Sequence, residues 1–183
     1  MRVGQYISSL AEGGGLSRSD IARETRMSRQ SLSYILTGER EMTLSQALRL
    51  ESLFSLERGT LVRMQEDELI ENHVGELRHA LCTRLIASNA FWSYDGVNEE
   101  SIGDEDLVEK TFMFLDMDDI SVLFEIFPRK FVRKVWEERL ACQGEYLRNL
   151  NMMIAQYYFG IENPETFLHR KEMCHIRKMT RNA

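Results

Sequence analysis

The chain has 183 residues and a mass of 21.4 kDa, room for one ordinary domain or two small ones, and its 43% hydrophobic and 28% charged content suits a globular protein. The net charge of −6 argues against a nucleic-acid binder only until it is divided: residues 1–65 hold nine Arg and seven acids (+2), residues 66–127 three bases and sixteen acids (−13), residues 128–183 eleven bases and six acids (+5). No apolar run approaches the length of a membrane span, and the opening MRVGQYISSLAEGGG reads as a helix rather than a signal peptide, so a cytoplasmic location is expected.

In chain order, Val3, Ile7 and Leu10 lie three or four apart and predict a first helix, stopped by Gly13, Gly14 and Gly15. That glycine triplet lacks a following G-K-[ST] and a preceding strand, so it reads as a corner and not as a phosphate loop. Ser17 and Asp20 form an S-x-x-D start signal for a second helix with Ile21 and Ala22 on its apolar face. Ser28 can cap a third helix, in which Leu32, Ile35 and Leu36 make one buried stripe. Gly38 stands where a left-handed residue often ends a helix. Opposite the stripe stand Arg29, Gln30, Ser33 and Tyr34, all with hydrogen-bonding side chains and all on one outward surface. Thr43 caps a fourth helix carrying Leu44, Ala47, Leu48 and Leu50, 56–59 make a turn, and a fifth helix starts near Thr60.

Two short helices, the second with Arg and Gln facing out, form the helix-turn-helix plan, since Arg can clasp guanine and Gln adenine by two hydrogen bonds each in the major groove. The runs S-x-x-D-I-A and M-S-R-Q-S-L-S-Y-I-L-x-G-x-R, followed by MTLSQALRLESLF and LVRMQ, resemble the lambda-repressor-like (XRE-type) helix-turn-helix domain, in the branch found in HigA-type antitoxins. The resemblance implies base contacts from Arg29, Gln30, Ser33 and Tyr34 and phosphate contacts from Arg18, Ser28, Thr37 and Arg40. It also implies a homodimer on double-stranded operator DNA, repression of the chain's own operon, and a toxin protein as a possible partner. Arg26 departs from the pattern by standing where such domains usually carry a turn glycine, so it must adopt positive φ or the turn must be reshaped.

Beyond the first domain (1–72), the periodicity predicts a linker helix (73–90) with Leu77, Leu81 and Leu85 on one side and a break near Gly75. A helical partner-binding domain (91–183) follows. It begins with the aromatic corner Phe91, Trp92 and Tyr94 and a loop holding Gly96 and Gly103, after which Asp104 is expected to cap the next helix. Leu107, Val108, Phe112 and Leu115 make that helix's stripe, and Ile120, Leu123, Phe124 and Phe127 the next one. After Pro128 a basic helix turns Val132, Val135, Trp136 and Leu140 inward and Arg129, Lys130, Arg133 and Lys134 outward. A long helix is expected over 143–159, and Pro164 opens a last one whose basic tail frays from His169. The runs FWSYD, LDMDDISVLF, K-x-x-x-x-V-W and NPETF resemble a small helical domain of bacterial proteins encoded beside nucleotidyltransferase-type toxins, which implies a toxin–antitoxin or phage-defence setting. No alternating strand is legible, so the whole chain reads all-α.

Other constellations carry less. Asp116, Asp118 and Asp119 could form a metal or acid–base site, but capping of a helix N-terminus explains them more economically. His169, Cys174 and His175 lack a recognised zinc spacing, and His73 and His79 have no partner pattern. Cys82, Cys142 and Cys174, odd in number and widely spaced, read as reduced thiols. Without a nucleophile motif, the chain is expected to be no enzyme and to need no cofactor or metal. The acidic middle is either a solvated face or a surface that steers a basic partner. The basic stripe 129–134 can pair with it internally or between subunits, or meet DNA or an acidic partner.

Overall fold

The computed structural model describes residues 1–92 and 97–181, and every regular element among them is helical, so the protein is all-α. No described helix is long and apolar enough to cross a membrane. The chain divides into two compact units, Met1–His73 and Val74–Ala183.

The first unit contains α1 (Val3–Gly13), α2 (Arg18–Glu24), α3 (Arg29–Thr37), α4 (Leu44–Leu53) and the start of α5 (Thr60–Ala87). The short helices begin where side chains satisfy their orphan amides. Ser17 Oγ accepts from Asp20 N–H at 3.2 Å while the Asp20 carboxylate accepts from Ser17 N–H, also at 3.2 Å. Thr43 and Gln46 cap α4 in the same reciprocal way, and Ser28 caps α3 with its hydroxyl alone, accepting from Ser31 N–H. Val3, Ile7, Ile21, Leu32, Ile35, Leu50 and Leu61 close a small core between these helices. Gly38 ends α3 at φ 78°, in the left-handed region.

The helix α5 runs unbroken through Gly75, which corrects the expected break. A lone glycine in a helix costs only about 1 kcal/mol against alanine, and a Cβ built at Gly75 meets nothing within 4 Å. Its later residues Leu81, Cys82 and Leu85 lie in the core of the second unit.

In that second unit follow a 3-10 turn (Glu99–Ser101), α6 (Asp104–Phe114), α7 (Met117–Ile126) and α8 (Arg129–Val135). Gly103, not Asp104, holds the N-cap of α6, because the Asp104 carboxylate is engaged by Arg78 at 2.7 Å. α8 continues into a π-helical turn, Trp136–Leu140. The helix expected over 143–159 is a 3-10 turn (Gly144–Leu147) and then α9 (Arg148–Tyr157). The left-handed φ of 73° at Gly144 interrupts the helical path there. α10 spans Pro164–Arg181, so the tail continues as helix past His169 instead of fraying. Trp136 is the centre of packing: it stacks on Phe159 (centroids 4.9 Å apart) and on Phe167 (5.7 Å). Its indole N–H donates to Asn151 Oδ1 at 2.8 Å, and Asn151 Nδ2 donates to the Leu140 carbonyl at 2.8 Å, so a fully buried polar pair is satisfied. Phe91 is buried and Trp92 is 76% exposed, while Tyr94 and Gly96 lie outside the described residues.

Candidate nucleic-acid interface

The outward face of α3 is held from behind by contacts that reach across the first unit. Gly4 of α1 lies against the C-terminal turn of α3, so closely that a Cβ there would stand 2.2 Å from the Leu36 carbonyl oxygen. The Arg49 guanidinium, on α4, donates to the Thr25 carbonyl at 3.2 Å and braces the turn between α2 and α3. Within that turn Arg26 takes φ 53°, so of the two possibilities open to a non-glycine residue it adopts the left-handed one. Gln65 of α5 accepts from Met42 N–H at 2.7 Å and donates to the Met42 carbonyl at 3.2 Å, clasping the strand of chain that leaves α3. Glu68 accepts from Val3 N–H at 3.0 Å and caps α1. Glu51, 1% exposed, accepts from Gly59 N–H and Leu61 N–H, each at 2.8 Å, and so places a carboxylate at the positive end of α5.

On the face so held, Arg29 and Gln30 are exposed and Ser33 and Tyr34 half-buried, and the four share one side of α3. Gln30 Nε2 donates to Tyr34 Oη at 2.8 Å. That bond leaves Gln30 its second amide hydrogen and its carbonyl, the donor and acceptor that a bidentate adenine contact uses, and leaves the Tyr34 proton free to donate. The Arg40 guanidinium lies 5.7 Å from the centroid of the Tyr34 ring, which joins one expected phosphate contact to the expected base contacts. Ser28 Oγ accepts from Ser31 N–H at 3.0 Å and keeps its own proton for a phosphate oxygen. Arg18, in the first turn of α2, is exposed. Thr37 stands differently: its hydroxyl lies 3.0 Å from the Glu39 carboxylate and within reach of the Ser33 and Tyr34 carbonyls, so a phosphate there must displace Glu39. Nearby, two hydrogen bonds from Ser17, and then Arg23, hold the Asp20 carboxyl below its ordinary range.

Sequence reasoning identified the outward face but missed Gly4, Arg49, Glu51, Gln65 and Glu68. Arg49 and Glu51, inside the run MTLSQALRLESLF, and Gln65, inside LVRMQ, lay within patterns that drew attention, but their roles depend on backbone groups elsewhere in the chain that no local pattern names.

The remaining candidates resolve into structural contacts. Asp116 caps α7 by accepting from Asp119 N–H at 3.0 Å, and that bond holds its carboxyl low. Burial pushes the Asp119 carboxyl up against the pull of Arg84, which binds it at 2.5 Å. His79 Nδ1 lies 2.5 Å from Glu99, and His169, Cys174 and His175 are carried along α10. Among the described residues no three His, Cys, Asp or Glu side chains converge as a metal ion requires. No family model, curated protein or solved structure matches this chain.

Proposed function

We propose that the protein is a sequence-specific regulator of transcription that binds double-stranded DNA, an antitoxin-type repressor of its own operon. The observation that carries this reading is the face of α3: Arg29, Gln30, Ser33 and Tyr34 presented together, with Leu32 and Ile35 buried behind them. The nine residues of α3 reach only a few base pairs, so useful affinity calls for a homodimer on paired half-sites. Arg18, Ser28 and Arg40 supply the phosphate contacts that set the register. The lambda-repressor-like pattern of the α2–α4 sequence supports the same reading.

The test is a binding titration against salt, using the DNA immediately upstream of the coding sequence and an unrelated duplex of equal length. A specific reader prefers the upstream DNA and loses affinity steeply as salt rises, because phosphate contacts release counterions. Equal, weak binding to both duplexes contradicts the proposal. The −13 charge of residues 66–127 favours a second reading, a module that neutralises a toxin enzyme by protein contact alone. Under it, partner binding survives while specific DNA binding is absent.

A further inference from the structure

A groove of about 820 Å³ runs between the α8 region and α10 in the second unit. Its walls carry Lys130, Arg133, Lys134, Arg170 and Lys171 against Glu137 and Glu138, five cations to two carboxylates. Glu137 fixes the centre: it binds Arg133 at 2.8 Å and Lys171 at 2.6 Å. Burial opposes its ionisation, but those two cations outweigh that and hold its carboxyl low. Lys134 reaches Glu138 only at 3.9 Å. Lys130 and Arg170 are exposed and, among the described residues, have no carboxylate within ion-pair distance. Phe167, Cys142 and Cys174 add apolar surface to the lining.

We infer that this groove binds an acidic peptide segment of a partner protein that also carries an apolar side chain. Carboxylates of the segment meet Lys130 and Arg170, and an apolar side chain lies along Phe167 and the two cysteines. Charge complementarity selects an anion, and the lining selects a peptide over a nucleic acid. A single strand needs a free aromatic face for its bases, yet Phe167 is stacked on Trp136 on one side and has the Lys171 ammonium 5.5 Å from its centroid. Glu137 and Glu138 in the lining also repel a continuous phosphate backbone, whereas a peptide can space its carboxylates around them. This inference concerns the second unit only and does not depend on DNA binding by α3.

The test uses the full-length chain and a fluorescein-labelled peptide in which glutamate pairs alternate with leucine. The peptide is expected to bind at low salt and to weaken about tenfold in the variant carrying Lys130→Glu and Arg170→Glu. Both side chains are exposed and unpaired, so the variant keeps its fold. In the unaltered protein, bound peptide slows alkylation of the exposed Cys174, while buried Cys82 serves as the internal reference. Absence of binding, unchanged affinity in the variant, or unprotected Cys174 overturns the inference. So does tighter binding of a single-stranded oligonucleotide of equal charge that the same variant abolishes.

Discussion

In the first unit, the polar side chains that organise packing reach backbone groups: Glu51 takes two amides of the α5 start, Gln65 clasps Met42, and Arg49 holds the Thr25 carbonyl. In the second, Asn151 and Tyr158 also reach backbone carbonyls. Its packing adds clusters of side chains meeting side chains that the first lacks in this form: Trp136 between Phe159 and Phe167, Phe124 stacked on Tyr158 at 5.5 Å, and Arg139 among Glu105, Asp106 at 2.6 Å and Glu109 at 3.0 Å. The difference follows from the size and make-up of each core. Short helices with a small apolar core gain a fixed backbone from cross-chain caps, and a fixed backbone is what aims α3. A larger aromatic core tolerates an interrupted helix such as α8 with its π turn, and leaves Arg129, Lys130, Arg133 and Lys134 toward the surface.

Substitutions can break this contrast one unit at a time. Both tryptophans, Trp92 and Trp136, lie in the second unit, so their fluorescence reports its unfolding separately from the total helix signal. The largest effect is expected from Trp136→Ala, which removes the aromatic centre and strands Asn151, at about 4 kcal/mol. Denaturation should show the second unit lost and the first unit's helix signal retained, and with it the proposed DNA binding. Next is Glu51→Ala, which leaves the buried Leu61 amide and the half-buried Gly59 amide unpaired and costs about 2–3 kcal/mol. Glu51→Gln keeps one acceptor and should cost roughly half as much. Urea titration followed by circular dichroism, with the Trp signal unchanged, checks both. Gly4→Ala drives a Cβ into the Leu36 carbonyl and should cost about 2 kcal/mol, and as α3 shifts the proposed DNA binding should weaken. The smallest effect sharpens the comparison from the other side. Thr111 Oγ1 is buried without a hydrogen-bond partner among the described residues, so Thr111→Val should stabilise the second unit by about 1 kcal/mol. A loss of stability there would mean that the hydroxyl has an uncounted partner.

Much of the local structure was legible. Ser17, Ser28 and Thr43 cap the helices assigned to them, Gly38 and Pro164 sit at the expected ends, and Val132, Val135, Trp136 and Leu140 turn inward. These signals are local: a cap acts within one turn, and periodicity marks most of a buried face, though in α4 it also took in Leu44 and Leu48, which are exposed while Ala47 and Leu50 are buried. What was illegible is long-range or conditional. Nothing in the surrounding residues distinguishes Gly4, which must be small because of Leu36, from a glycine that merely lowers helix propensity. Asp104 has the chemistry of a cap, but Arg78, 26 positions earlier, claims its carboxylate. The π turn after Val135 and the 3-10 turn after Gln143 both preserve the inward stripe while breaking the helix, so periodicity passes over them.

The central claim is that α3 reads bases, and the most direct test is the double variant Arg29→Ala plus Gln30→Ala on the upstream DNA. Both residues are exposed and their removal leaves the core intact, so circular dichroism and the melting profile should not change. Loss of two bidentate contacts, each about 1–3 kcal/mol, is expected to erase the preference for upstream over unrelated DNA, while the weak, salt-dependent binding shared by both persists through Arg18 and Arg40. A variant that still prefers the upstream duplex as strongly as the unaltered protein would contradict the account.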